Sequence, residues 1–580
     1  MLPTRHPHWL TRLSTKLSTK LSTKLPTKLP TKLPARLATQ LVVALLLVCG
    51  MGSVHAQSMA PENKTIVMVP MRDGIELATN VYLPEGDGPW PVVLTRTPYD
   101  KDGIDRSVAG YNARGYAVVS QDVRGRYDSE GVNQPFENDI EDGYDTVEWI
   151  AAQTFSDGNV GIFGTSAPGI TANLAAASAP PDLTAAYVTV APDSLFYRSR
   201  FVGGVFKESH SGGWLRGQGV SEEAINAYKA RAVLDDQWRA TDFLFHRGNV
   251  EIPVYNVGGW HDIYAEGSLH NFVYLQNDGN LQARGKQKLF MGAFGHGVLQ
   301  GDLEYPGGGL INGDSEEQMR WWDYWLKGID NGIMDEPPVS IYMMASARKG
   351  KVSAKNRVIQ LDSWPPQNTE TRYYLQPDMG LATAPPMTDD NSKTYTFDPA
   401  NPVPTVGGQN LGADVGPRDQ REIGQRQDYL RFSTPVLEED VVVAGHIDME
   451  LYVATDALDT DFVVKLVDIY PDGYEALILD YPIRARFRDG QNPGDVELMT
   501  PGAVEKLTIN MWSTAQTFEA GHRIGVHVTS SNYPRFAVNP NNGAALDDSS
   551  MAPQTAENTI YFDASRPSAI VLPVVTVPLD

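Results

Sequence analysis

Ser166 sits in Gly164-Thr165-Ser166-Ala167-Pro168-Gly169, directly after the apolar run Val160-Gly161-Ile162-Phe163. A strand that breaks sharply into a helix needs small residues two before and three after the corner, so that the backbone folds back without a clash. A hydroxyl at such a corner is exposed, and an early helix amide, here that of Ala167, is a ready donor to a developing oxyanion. Pro168 suits an early helical position, where its missing amide has no intrahelical use. A serine hydroxyl is a poor nucleophile at neutral pH, so it needs a base to take its proton and a carboxylate to hold that base in one tautomer. Asp262, in Gly258-Gly259-Trp260-His261-Asp262, and His296, in Gly292-Ala293-Phe294-Gly295-His296-Gly297, are the candidates. Each follows an apolar strand, ending at Val257 and at Met291, and open α/β sheets build their sites at the carboxyl ends of strands. His261 competes for the role of base, but its adjacency to Asp262 turns it elsewhere. His210, His246 and His270 read as surface or core histidines in cap or helix contexts. His446, His522 and His527 fall in a β-rich region with no metal-ligand spacing, and no cofactor is expected.

The elements that must carry these residues alternate. Ile66 to Pro70 and Ile75 to Leu83 flank the turn Arg72-Asp73-Gly74 and read as a hairpin. Strands are then expected at Pro91–Thr95, Ala113–Asp122, Asn159–Phe163, Ala185–Val190, Ile252–Val257 and Lys288–Met291, with helices at Gly143–Gln153, Ala172–Ala179 and Glu316–Lys327. Alternation of this kind means a mostly parallel sheet covered on both faces, and the order Ser, Asp, His is that of an α/β-hydrolase core. The expected organisation is a hydrolase domain at 60–193 and 250–330, a helical cap inserted at 194–249, and an all-β jelly-roll domain at 338–580. Trp321, Trp322 and Trp325 fall on helical spacings that turn most of them inward, toward a core.

The chain has 580 residues and a net charge of −23, a balance that repels nucleic acid and anionic membrane. Leu13 to Arg36 repeats Leu-Ser/Pro-Thr-Lys, and behind it Leu41 to Val48 is a short apolar run followed by Val54-His55-Ala56. Residues 1–56 therefore read as a secretory signal peptide with a basic leader, cleaved near Ala56, which implies a secreted or periplasmic protein. The single cysteine, Cys49, would leave with it, so neither a disulfide nor a cysteine nucleophile is expected. The partners implied are a small ester or amide substrate, no nucleic acid and no membrane once the signal is removed, with homo-oligomerisation left open.

The chain resembles the cocaine-esterase and X-prolyl dipeptidyl-peptidase family of serine hydrolases, which includes α-amino acid ester hydrolases and glutaryl acylases. The resemblance rests on Met71-Arg72-Asp73-Gly74, Arg96-Thr97-Pro98-Tyr99, Asp122-Val123-Arg124-Gly125, Ser129-Glu130-Gly131, the serine corner, Trp260-His261-Asp262 and Arg320 to Gly332, with further matches between Asp398 and Phe536. It implies that Ser166, Asp262 and His296 are catalytic and that Tyr99 joins Ala167 in the oxyanion hole. It implies acyl-enzyme hydrolysis of esters, with X-prolyl dipeptide cleavage or acylase-type amide cleavage as alternatives, and a glycan-binding protein with a vestigial hydrolase as a distant one. Two departures stand out: Ala167 replaces a tyrosine after the nucleophile, and Phe294-Gly295 alters the usual Trp-x before the histidine. Where α-amino ester hydrolases place acidic ammonium binders beyond the triad aspartate, this chain has Tyr264 and Ala265, with Glu266 the nearest acid.

Overall fold

Apolar alternation in Lys64–Pro70 and Glu76–Tyr82 closes a hairpin that opens a ten-stranded sheet among the described residues. The computed structural model describes residues 63–309, 316–545, 548, 550–577 and 579. In spatial order the sheet runs 64–70, 76–82, 117–122, 90–97, 156–165, 183–189, 254–261, 288–295, 339–343 and 357–361. The strands from 117–122 through 339–343 pair in parallel, and antiparallel partners close each end. Val92, Val93, Leu94, Val160 and Ile162 are fully buried, as a central strand covered on both faces requires. Helices Asp139–Ala151 and Ala167–Ala177 pack on one face, and helix Glu316–Lys327 covers the other with Trp321 and Trp322 at 0% exposure.

Several boundaries differ from those read in the sequence. Val339–Met343 and Arg357–Leu361, placed by sequence in the C-terminal β domain, belong to the hydrolase sheet. After 288–295 the chain passes through helix 316–327 and returns as a parallel neighbour, a strand–helix–strand crossover. The alternation in Val339-Ser340-Ile341-Tyr342-Met343 marks a strand without naming its partner. A helix, Asp105–Ala113, precedes the strand that begins at Ala117, where the sequence suggested a strand from Ala113. The strands before the aspartate and the histidine run on to His261 and Gly295, so each residue follows its strand closely.

The inserted segment 194–249 is only partly helical. It contains π-turns at Leu195–Arg200 and Glu208–Gly212, a two-residue ribbon (Phe201–Val202 with Val205–Phe206), and short helices between Gly213 and His246. The ribbon docks on the C-terminal domain: Arg484 N donates to Gly203 O at 2.8 Å, and Ala537 N to Phe206 O at 2.9 Å. Gly203 has φ +53°, and a Cβ there would lie 2.0 Å from Pro482 O, so only glycine permits this approach.

Two antiparallel sheets form the C-terminal domain. One is built around the long strands Val441–Thr455 and Glu505–Phe518, the other around Asp461–Ile469, Glu475–Arg484 and Arg523–Thr529. Their inward side chains, among them Met449, Leu451, Leu466, Leu479 and Val526, share one apolar core. The leader, the signal-peptide reading, the cleavage near Ala56 and Cys49 lie outside the described residues.

Candidate active site

Strand Ser156–Thr165 turns into helix Ala167–Ala177 at Ser166, whose φ of 64° and ψ of −124° lie outside the comfortable regions for an L-residue. The turn is possible because its flanks are small. A Cβ on Gly164 would stand 2.1 Å from the Pro168 carbonyl, and one on Gly169 would press on Ala191 at 3.0 Å. Ser166 N donates to Thr189 O at 3.0 Å, anchoring the corner to the neighbouring strand.

His296 Nε2 lies 2.8 Å from Ser166 Oγ, and its Nδ1 lies 2.7 Å from Asp262 Oδ2. The other carboxylate oxygen of Asp262 accepts from Tyr264 N at 2.7 Å, and the residue is fully buried. Ser166, Asp262 and His296 are thus joined in one line of hydrogen bonds. His261 is not part of it. Its ring stacks near Tyr305, and burial lowers its pKa to about 4. His246 bonds to cap carbonyls, while His522 and His527 are engaged inside the β domain by Asp468 and Tyr429.

Tyr99 follows strand Trp90–Thr97 and faces the same cavity as Ser166. Trp214 Nε1 donates to its hydroxyl at 2.7 Å. Burial raises the phenol's pKa, while its hydrogen bonds with Trp214 and Ser166 oppose the rise. The loop is fixed from below: Thr171 Oγ1, on the serine helix, donates to Arg96 O at 2.8 Å, and Arg126 Nε to Pro98 O at 3.1 Å. Arg96 is itself held by Gln121 and Asp139. The amide of Ala167 opens the helix beside Ser166.

The cavity has a volume of about 260 Å³. Besides Ser166, Tyr99, Ala167 and His296, its walls include Phe136, Ile170, Arg200, His210, Trp214, Tyr264 and Leu411. Sequence reading missed most of these, because cap and β-domain residues reach the site only through tertiary contact. His210, read as an ordinary cap histidine, is buried with Nε2 3.0 Å from Tyr264 OH. Leu411 comes from a β-domain loop that also packs Val415 against Gly295 and Gly412 against Gly297.

Glu266 takes no part in the cavity. Its carboxylate accepts from Ser513 N at 2.7 Å and pairs with His270 and His446, each at 3.2 Å. The acid is spent on fastening the helix after Asp262 to the β domain. Burial alone would neutralise these rings, but bonds to Asp193 and Glu266 raise His270 to about 9, and bonds to Asp448 and Glu266 raise His446 to about 10. Both folded values exceed the ordinary 6.5, so their stabilisation is complete below that pH and is lost as pH rises through 9 to 10. The melting temperature should therefore fall steadily above about pH 6.5, and His446→Gln should flatten that slope. Thermal melts of both proteins at pH 6, 8 and 10 check this; equal slopes would remove the clamp.

Residues 73–233 match the X-Pro dipeptidyl-peptidase (S15 family), and residues 331–571 match the X-Pro dipeptidyl-peptidase C-terminal non-catalytic domain. A cocaine esterase from Rhodococcus sp. (strain MB1 Bresler) is 32% identical over 584 residues, which cover 88% of this chain and 98% of that protein. Among solved structures, a selenomethionine-labelled α-amino acid ester hydrolase superposes with a TM-score of 0.76 at 25% identity, covering 90% of this chain and 99% of that one. An aminopeptidase from a marine sediment Thaumarchaeota archaeon gives 0.74 at 24% identity over 90% and 99%, a likeness of fold. Architecture and relatives together define a serine hydrolase with an α/β-hydrolase core and an appended all-β domain. Within that class the chain belongs to the cocaine esterase and X-Pro dipeptidyl-peptidase family.

Proposed function

We propose that the chain is an exported serine esterase that cleaves small acyl esters through an acyl-enzyme. The observation that carries this reading is the unbroken line from Ser166 Oγ through His296 to Asp262, with spacings of 2.8 and 2.7 Å. His296 takes the Ser166 proton as Oγ attacks the acyl carbonyl, then hands it to the departing alcohol. Water enters and is deprotonated by the same imidazole, and the acid leaves. Asp262 keeps Nδ1 protonated, so that Nε2 is free to act as base. The basic leader and the apolar stretch Leu41 to Val48 support export.

Tyr99 and the Ala167 amide are the oxyanion donors. Trp214 fills one acceptor position on the phenol oxygen, which leaves its proton to point at the developing charge. Tyr99→Phe should lower kcat by about 10²- to 10³-fold with little change in KM, because the lost bond is strongest in the transition state. Steady-state rates on one ester decide it; an unchanged kcat would leave Ala167 without this partner.

Esters are favoured over X-Pro peptides and α-amino esters because Glu266, the next acid in sequence after Asp262, is occupied by two histidines and Ser513, leaving an ammonium group no counter-charge from it. Rates on 4-nitrophenyl esters and on X-Pro 4-nitroanilides test this directly. Faster ester cleavage is expected, and preferential release of nitroaniline would reverse the assignment.

A further inference from the structure

Most buried arginines in this chain are neutralised. Arg96 meets Asp139, Arg484 meets Asp461, Arg486 meets Asp459, and Arg535 meets Asp480. Arg200 differs. It is 3% exposed and lines the cavity beside Ser166, yet no carboxylate lies within 4.0 Å of it among the described residues. Its guanidinium donates from Nη1 to Ser199 Oγ at 3.0 Å, and its Nε has no partner. The group rests over the rings of Trp214 and Tyr228, at 5.7 and 5.9 Å. Asp242, which acts on it at longer range, is already bonded to Ser194 Oγ, Phe196 N and Leu244 N.

A guanidinium stays charged when buried, and an uncompensated buried charge is strongly unfavourable. Such a group persists at a site when a ligand supplies the missing anion. Among the described residues, no carboxylate lines the cavity. His210, on the same wall, is held well below its usual pKa chiefly by burial, so it brings no charge of its own. Lys207 is buried with Nζ donating to the carbonyls of Arg198 and Ile263, and burial holds its pKa well below the usual value. Arg200 is also tied to the site, because Ser199 Oγ lies 3.2 Å from Tyr264 OH, and the Tyr264 ring stands edge-on to His296 at 5.7 Å.

We propose that Arg200 is the specificity residue for a carboxylate on the acyl half of the substrate, so that the preferred substrates are half-esters of short dicarboxylic acids. This deepens the serine-esterase reading and rests on it. The cavity, about 260 Å³ and lined by both Ser166 and Arg200, suits one short acyl chain. The half that enters must bring its carbonyl to Ser166, Tyr99 and Ala167, and a carboxylate a few carbons further on then meets a planar donor fork suited to it.

The test compares 4-nitrophenyl hydrogen succinate with its neutral methyl-capped analogue, each corrected for the rate with Ser166→Ala. Wild type should favour the anionic ester in kcat/KM by roughly 10- to 100-fold, and Arg200→Gln should abolish most of that preference, chiefly through KM. Free succinate should protect wild-type Ser166 from a fluorophosphonate, where succinamide does not, a measurement that needs no variant to fold. Equal kcat/KM for the two esters in wild type, or equal protection by succinate and succinamide, overturns the anion site while leaving the esterase intact. Absence of both labelling and turnover sinks the esterase reading and this one together.

Discussion

Replacing Ser166 by alanine is expected to leave a folded protein that a fluorophosphonate no longer labels and whose ester turnover falls by roughly 10⁶-fold. The size follows from how the site is built. Oγ is the only atom removed, and the corner that presents it is made by Gly164, Gly169 and the bond from Ser166 N to Thr189 O. Alanine keeps all of these, so the melting temperature should change little while the nucleophile is gone. What remains is the oxyanion pair and the cavity, which alone give a residual 10³- to 10⁴-fold acceleration over water in comparable enzymes, or about that order. Intact-mass spectra of labelled wild type should show one adduct, and a proteolytic digest should place it on the peptide that contains residue 166. Equal labelling of wild type and variant would remove the serine from the mechanism.

Why Ser166, Asp262 and His296 could be read from sequence, and Arg200 could not, is a question of what local pattern encodes. A nucleophile corner is a local steric problem, so Gly164 and Gly169 announce it within six residues. The aspartate and histidine follow strands whose apolar runs are also local, and sheet order brings their ends together at neighbouring strands 254–261 and 288–295. Arg200 carries no such mark. Its burial depends on a π-turn, on Trp214 further along the cap, and on a C-terminal domain that closes over the ribbon at Gly203. In sequence, Arg198 and Arg200 are two arginines one residue apart in the cap, and only the fold separates Arg198, which reaches Asp193, from Arg200, which reaches no acid. The same limit explains the strands at 339–343 and 357–361. Alternation marked them as strands, while their pairing to the hydrolase sheet was set by the crossover through helix 316–327. Glu266 shows the converse. Sequence reading found no ammonium trap after Asp262 and left Glu266 as the nearest acid, and His446 and Ser513, 180 and 247 residues away, claim it instead.

Asp262→Asn should fold as stably as wild type yet lose about 10⁴-fold in kcat, with KM nearly unchanged. The argument turns on which way the new amide must point. In the wild type one carboxylate oxygen accepts from Tyr264 N and the other from His296 Nδ1, both at 2.7 Å. An asparagine has one acceptor and one donor end. The Tyr264 amide is fixed backbone and can only donate, so it claims the amide oxygen and directs the NH₂ group at His296. The ring can then avoid two opposed donors only by moving its proton from Nδ1 to Nε2. That proton now faces Ser166 Oγ across 2.8 Å, and an Nε2 that carries a proton cannot accept another. The base is present, in place and in the wrong tautomer. Raising the pH should not restore it, since deprotonation of a neutral imidazole lies far outside the working range. A rate within about tenfold of wild type, measured on the same ester with the melting temperature unchanged, would mean that Asp262 does not orient the base.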